Sequence, residues 1–580
     1  MNSNYDLSPS IPLKALIHQG WNAIAAQVMT DGKLKGKKKK VIVIECYTGI
    51  LFEELIAGIS LLKPDLLIDS RTAQKTETVI RSLTWPDVTD DRIFGFMTRL
   101  IMDDFLDPGQ LRALRARIDM MDEGVAVIFG PGAALIPVSF DLLLYADMAR
   151  WEIQLRMRRN RVSGLGIDDH LEEFSLQYKR GYFVDWRVCD RLKERLWDGI
   201  DYYLDTNRAD FPKMLAASAL KTGLRNCSER PFRVVPYFDP GPWGGQWMKK
   251  VCGLDPDADN YAWCFDCVPE ENSLLFNAGG IVFETPSVNL VLFESQNLLG
   301  KSILDRFGRE FPIRFDFLDT MGGGNLSLQV HPLTSYIREK FGMSYTQDES
   351  YYLLDAGEDA TVYLGIRDGA DPEDMISALR DADAGGPEFK AEDFVNIWPA
   401  RKHDHFLIPA GTVHCSGKNA MVLEISATPY IFTFKLWDWA RPGLDGKPRP
   451  INIDHAARVI QWNRRSEFTR RELVSPIEPL TSGDGWREEK TGLHKLEFIE
   501  THRHWFTGPV LHNTRGTVNV LNLVEGREAI ITSPKNRFDP FVVHYAETFI
   551  IPAAVGEYEI APHGESVGLE IATIKAFVRL

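Results

Sequence analysis

The chain is poor in cysteine, has no excess of positive charge and lacks long apolar runs. Its 7 cysteines among 580 residues are odd in number and scattered. They do not form a disulfide framework and fit a reducing cytosol. Cys264 and Cys267 make one CxxC, but no second pair follows at zinc-finger spacing, so buried, idle thiols are expected. Lys and Arg number 66 against 81 Asp and Glu, a formal net charge of -15. That balance argues against a general role on nucleic acid or at a membrane surface. No N-terminal stretch has signal-peptide form, and no apolar segment is long enough to span a bilayer. The chain therefore reads as cytoplasmic, with no nucleic-acid and no membrane partner.

One more absence lies in the N-terminal third. From Val41 onward strand-like and helix-like patterns alternate: strands at 41–45, 65–68, 125–129 and 141–145, helices at 51–62 and 147–159. Such alternation implies a mostly parallel sheet with covering helices. The first strand, turn and helix resemble a nucleotide-kinase P-loop unit. A P-loop needs G-x-x-x-x-G-K-[ST], so that amides cradle phosphate, lysine neutralises it and the hydroxyl holds Mg²⁺. Here the run is Glu45-Cys46-Tyr47-Thr48-Gly49-Ile50-Leu51, without the lysine or the terminal hydroxyl. The expectation is a kinase-like fold with a degenerate P-loop and no phosphoryl transfer, a pseudo-kinase domain, with nucleotide binding left open. Gly130-Pro131-Gly132 reads as a turn at a strand end.

Three neighbouring stretches carry weaker signals. The lysines at 33, 35 and 37–40 read as a solvated hairpin edge that blunts sheet pairing. Residues 160–230 are charged and helical in tendency. Within them the aromatic-basic patch 179–187 suits an inter-domain contact better than base stacking.

What is present is concentrated in residues 325–355 and 404–416. In LSLQVHP the side chains alternate, so Gln329 and His331 at i and i+2 point to one face of a strand. Glu349 precedes a second β-rich run, and His414 follows a Gly-turn in DHFLIPAGTVHCS. Two imidazoles, a carboxylate and an amide oxygen form a suitable donor set for Zn²⁺ or another divalent ion. A QxH on a strand is by itself commonly a half-exposed polar pair.

LSLQVHP, ESYYLLDA, IPAGTVHCSG and VLEIS, in that order, resemble the successive signatures of the class I phosphomannose isomerases, cupin-fold metalloenzymes. The similarity starts at PGPWGGQWMKK and extends to about Arg449. It implies one metal ion per chain, held by Gln329, His331, Glu349 and His414. It further implies a sugar-phosphate substrate and a helical insertion near 370–392. In TFKLWDWAR the family's catalytic arginine falls on Lys435, and Arg441 aligns with a second arginine. Glu424, in VLEIS, is implied as support for the site or as a proton carrier. The family's lysines near the site are replaced here by Gln347 and Asp316, with Arg314 available to compensate.

After Asn463 regular short strands predict a second small barrel, a ligand-free duplicate in which Gly556-Glu557 stands where a histidine would be. The expected organisation is thus an N-terminal arm (1–40), an α/β domain (41–228), a metal-binding cupin-type β barrel with a helical insertion (229–465) and a C-terminal cupin-like β domain (466–580). The expected activity is metal-dependent interconversion of mannose 6-phosphate and fructose 6-phosphate. The alternative is a non-catalytic metal-containing cupin that binds a sugar phosphate and signals through the kinase-like domain.

Overall fold

The computed structural model describes residues 3–579 except 428, 429, 431, 445, 447, 448 and 450. Packing divides the chain into two units, each assembled from separated stretches. One comprises Ser10–Asn226 and Glu270–Leu292, the other Met1–Pro9, Cys227–Pro269 and Phe293–Leu580.

The first unit is α/β. Its seven-stranded sheet runs Ile17–Gln19, Lys213–Ala216, Tyr202–Asp205, Leu142–Asp147, Lys39–Cys46, Gly124–Gly130, Leu66–Asp69. The last five of these are parallel. Val41, Ile42, Val43 and Ile44 are all buried, because the central strand of a parallel sheet is covered on both faces. The helix Phe52–Ser60 buries Leu55, Gly58 and Ile59 on one side, the stripe expected of a covering helix.

Three expectations from the sequence differ from the structure. Lys39 and Lys40 open the central strand, opposite Gly124 and Val125, instead of forming a hairpin edge; Lys33 and Lys37 reach Asp201 and Asp141 as ion pairs. The stretch expected to be helical contains two strands, Tyr202–Asp205 and Lys213–Ala216. The patch 179–187 lies inside the unit's own core. Tyr182, Phe183, Val184 and Trp186 are buried, and Arg180 pairs with Asp185 at 3.4 Å. Aromatic density there reflects burial, which charge in the sequence disguised.

The second unit is β-rich and holds two pairs of sheets. In the first pair a six-stranded sheet runs His405–Ile408, Asp348–Ala356, Ala420–Ala427, Arg314–Asp319, Trp263–Cys267, Tyr237–Asp239. Its partner runs Val395–Pro399, Thr361–Ile366, His414–Ser416, Leu328–Val330, Phe434–Trp437. The insertion is the helix Pro372–Asp383. Asp371 caps it by accepting from the amides of Glu373 and Asp374, with proline at the first position and acids in the first turn, each favourable at a helix start.

The second pair joins Glu478–Gly483, Trp486–Gly492, Ile499–Phe506, Ile571–Val578, Asn519–Glu525 and Thr548–Ile551 in one sheet. Val510–Asn513, Glu557–Pro562, Glu528–Thr532 and Phe541–His544 form the other. Between them Phe506, Leu521, Leu523, Phe549, Ile551 and Tyr558 form a closed apolar core. Each such side chain contributes about 1.5–3 kcal/mol on burial.

Cys264 and Cys267, like the other five cysteines, are buried and in no disulfide. Among the described residues no helix is long and apolar enough to cross a membrane.

Candidate metal centre

Directly opposed residues on neighbouring antiparallel strands share a face. Across the five-stranded sheet, Leu364, His414, Gln329 and Lys435 lie in one row, with His331 two residues beyond Gln329 on the same side. Across the six-stranded sheet, Glu349, Ser426 and Arg314 form one row; Tyr351, Glu424 and Asp316 form the next. The two inner faces thus supply donors from strands far apart in sequence.

The donors meet. His331 Nε2 is 3.0 Å from Glu349 Oε2, His414 Nε2 is 2.8 Å from Glu349 Oε1, and Gln329 Nε2 is 3.3 Å from His414 Nε2. His331, Glu349 and His414 have no exposed surface. Despite the short distances, His331 Nε2 and Glu349 Oε1 make no well-directed hydrogen bond. The atoms converge on a point instead of pairing. The Nδ1–H of His331 donates to the Phe432 carbonyl at 3.0 Å, and that of His414 to the Thr412 carbonyl at 2.8 Å. This fixes both tautomers with an Nε2 lone pair turned inward, as metal-ligating histidines require. Among the described residues, His331, Glu349 and His414 are the one group of three or more such side chains able to hold an ion. Gln329 joins them when its amide is turned to present oxygen, an assignment that geometry alone leaves free.

Gln347 supports the carboxylate. Its Nε2 donates to Glu349 Oε2 at 2.9 Å, and its Oε1 accepts from the Phe432 amide at 3.0 Å. One loop residue, Phe432, thereby anchors both a histidine and the glutamate's partner. Burial works against ionisation of Glu349, but His331 and His414 outweigh it and hold the carboxyl well below its usual range. Glu424 is pushed the other way, by burial first and then by the Glu349 and Asp316 carboxylates.

The cations expected at the site divide. Lys435 shares the row of Gln329 and His414. Arg441 is engaged by Asp438, Nη2 to Oδ1 at 2.7 Å, and Arg449 binds the other oxygen of Asp438 at 3.1 Å as well as Ser327 Oγ at 3.0 Å. That Arg–Asp–Arg arrangement was not foreseen from the sequence, although Asp438 lies three residues from Arg441. Nor was Tyr351, whose ring stands edge-on to His414 at 5.7 Å.

In the α/β unit the turn after the central strand places Gly49 at φ 87°, with its carbonyl held by Arg156 Nη1 at 2.8 Å. The amides of Gly132 and Ala134, which point into the sheet end as an anion nest, are taken by the chain's own Glu45 carboxylate at 2.7 and 2.9 Å. Burial pushes that carboxyl up to about 7. Beside it, a cavity of ≈ 720 Å³ is lined by residues that include Tyr47, Thr48, Phe52, Arg71, Pro131 and Arg161.

Residues 20–229 match the model of a family described as a domain of unknown function, DUF8485. The curated relatives match elsewhere in description. A mannose-6-phosphate isomerase of Streptococcus mutans is 26% identical over 229 residues, which take in 39% of this chain and 66% of that protein, so the chain spans just under two thirds of its length. Mannose-6-phosphate isomerase ManA of Bacillus subtilis is 25% identical over 340 residues, 58% of this chain and 98% of ManA. The probable mannose-6-phosphate isomerase GmuF of the same organism is 29% identical over 232 residues, 40% of this chain and 68% of GmuF. Among solved structures, the mannose 6-phosphate isomerase of B. subtilis aligns with TM-score 0.48 at 17% identity, covering 60% of this chain and 99% of that one. A putative mannosephosphate isomerase of Archaeoglobus fulgidus aligns with TM-score 0.46 at 16% identity, covering 61% and 98%.

Proposed function

We propose that the β-rich unit is a metal-dependent aldose–ketose isomerase interconverting mannose 6-phosphate and fructose 6-phosphate. The observation that carries this reading is the convergence of the Gln329 amide, the Nε2 atoms of His331 and His414, and the Glu349 carboxylate in a buried interior with both imidazole tautomers fixed. The sequence similarity to mannose-6-phosphate isomerases supplies the substrate class.

The residues fit a divalent ion, Zn²⁺ or a similar one, bound by Gln329, His331, Glu349 and His414. Such an ion supplies Lewis-acid polarisation of the sugar's carbonyl and hydroxyl oxygens. The remaining work falls to side chains. Moving a proton between adjacent carbons passes through a cis-enediolate, whose negative charge must be met by fixed positive groups. Lys435, in the row of two ligands, faces that charge, and Arg314 lies in the row of Glu349. Glu424, two positions along the inner face from Glu349, carries the proton on this reading. Arg441, tied to Asp438, acts as a fixed charge that positions the phosphate.

A second reading rests on one observation: Asp316 and Glu424 oppose each other on the inner face, which lowers the positive charge available to a phosphosugar. On that reading the centre binds a sugar phosphate without turnover and reports through the α/β unit. That unit holds a nucleotide-sized ligand in its ≈ 720 Å³ cavity without phosphoryl transfer, at the carboxyl ends of parallel strands where such sheets place ligands. A coupled assay of fructose 6-phosphate formation from mannose 6-phosphate, run beside metal analysis, decides. Turnover lost together with bound metal on chelation and in His331→Ala supports the isomerase. Full metal occupancy without turnover of any hexose or pentose phosphate supports the second reading and ends the first.

A further inference from the structure

The β-rich unit has a cavity of ≈ 620 Å³ whose lining includes none of the four proposed metal ligands. Its cations are Arg306, Arg338, Lys495 and Arg579, and its acids are Asp348 and Glu497. In a chain of net charge -15, four cations around one pocket with two carboxyls at its base are a local reversal of sign.

The cations differ in what they are free to do. Arg579 is committed to the fold: Nη2 donates to the Leu493 carbonyl at 2.7 Å, Nη1 to that of Glu497 at 2.8 Å, and Nε to Glu500 Oε2 at 2.9 Å. The guanidinium of Arg306 lies over Phe307 at 4.9 Å and Phe498 at 5.1 Å. Arg338 and Lys495 are exposed, and among the described residues neither has a hydrogen-bond or ion-pair partner.

The wall is aromatic. Phe307 stands 4.7 Å from Phe498 and 5.4 Å from Tyr345, a surface that packs against the flat or CH-rich face of an organic ligand. The base carries an unmet polar group. Glu497 is 4% exposed, one of its oxygens accepts from the His494 amide at 3.1 Å, and Oε1 has no hydrogen-bond partner. Burial first, and then Asp348, push this carboxyl well above its usual value, which favours the protonated form that can donate a hydrogen bond. Asp348 is turned to the backbone, accepting from the Ala410 amide at 2.8 Å.

We propose that this pocket is a second ligand site, separate from the metal centre, for a phosphate monoester: Arg338 and Lys495 hold the phosphate, Glu497 donates a hydrogen bond to it, and Phe307, Tyr345 and Phe498 pack on its organic part. Two free cations suit a dianion, and charge-assisted hydrogen bonds to phosphate oxygens are the strong ones. The site goes beyond the proposed isomerase activity and does not depend on it.

The test is calorimetric titration of the full-length, metal-loaded protein with phenyl phosphate and with inorganic phosphate. Saturable binding of phenyl phosphate is expected, tighter than that of inorganic phosphate by at least about fivefold because only the ester uses the aromatic wall. Arg338→Glu and Lys495→Glu, both surface changes, should each weaken it by about tenfold or more. Glu497→Gln, which keeps a donor, should leave it within about threefold. His331→Ala should leave it unchanged. Wild-type affinity in both charge reversals, or no saturable binding by the wild type, overturns the proposal. Loss of binding in His331→Ala also overturns it, because the ester would then sit at the metal centre.

Discussion

The two pairs of sheets in the β-rich unit both carry histidines and glutamates on their strands, and they dispose of them in opposite ways. In the first, each imidazole spends Nδ1–H on a backbone carbonyl, so the Nε2 lone pairs and one carboxylate converge. In the second, His502 has Glu488 at 2.6 Å on Nδ1 and Glu500 at 2.7 Å on Nε2, while His504 Nε2 lies 2.9 Å from the same Glu488 oxygen. An imidazole with a carboxylate at each nitrogen is drawn towards its protonated form, and Oε1 of Glu488 is already taken by two histidines. The nearby Lys575 adds a further cation. The lesson is that residue type does not make a metal centre. What decides is whether one ring nitrogen stays available: His331 and His414 spend only Nδ1 and keep Nε2 for a ligand bond, whereas His502 has both nitrogens on carboxylates.

The comparison breaks first at the histidines. His331→Ala or His414→Ala should abolish metal binding and cost the isomerase several kcal/mol of charge stabilisation, about a thousandfold in rate, read by metal analysis and the coupled assay. His504→Ala should leave the metal content of the purified protein as it was. Equal metal loss in both would show that the second region contributes a ligand and erase the distinction.

A smaller effect sharpens the role of the amide that bridges Phe432 and Glu349. Gln347→Ala removes the support of one ligand without removing a ligand, so metal affinity should drop about 10–100-fold, measured by competition with a chelator. Unchanged affinity would mean that the backbone alone holds Glu349 in place.

Acid should separate the regions next. Burial, opposed by the Glu488 contact, pushes His504 down to about 4, against about 6.5 in the unfolded chain. The unfolded chain therefore takes up this proton first, and the stability tied to His504 is present above pH 6.5 and lost as pH falls towards 4. At about 1.4 kcal/mol per pH unit the loss amounts to about 3 kcal/mol. Denaturant unfolding of the full chain from pH 7 to 4 should fall less steeply in His504→Gln. A slope unchanged by that substitution would remove His504 as its source.

The smallest expected change concerns His502, whose two carboxylates outweigh its burial and raise it above its ordinary value. Its contribution is complete below about pH 6.5 and disappears as pH rises through the raised value. Glu500→Gln, at a half-buried position, should cost about 1 kcal/mol at pH 6 and less at pH 8. Equal costs at the two pH values would argue that His502 is neutral throughout.

Much of this was written in local pattern. The apolar run 41–44 and its neighbours marked a parallel sheet, since strands covered on both faces lose the alternation that half-exposed strands keep. The i, i+2 spacing of Gln329 and His331 placed both on one face. The strands at 202–205 and 213–216 were not legible, because each is four residues long and flanked by charges that suit a helix. Nor could local pattern reveal that Asp438 ties Arg441 to Arg449, or that His502 and His504 would crowd around Glu488.

By itself, then, the sequence determined which residues are available and on which face of its own strand each one stands, because side-chain direction is set by the backbone period over a few residues. Only the tertiary structure decided what each side chain meets. Strand register brought His414 opposite Gln329 and Glu424 opposite Asp316, and folding chose a carbonyl for one imidazole nitrogen and a carboxylate for another. Those pairings join residues tens of positions apart, and no period in the chain encodes them.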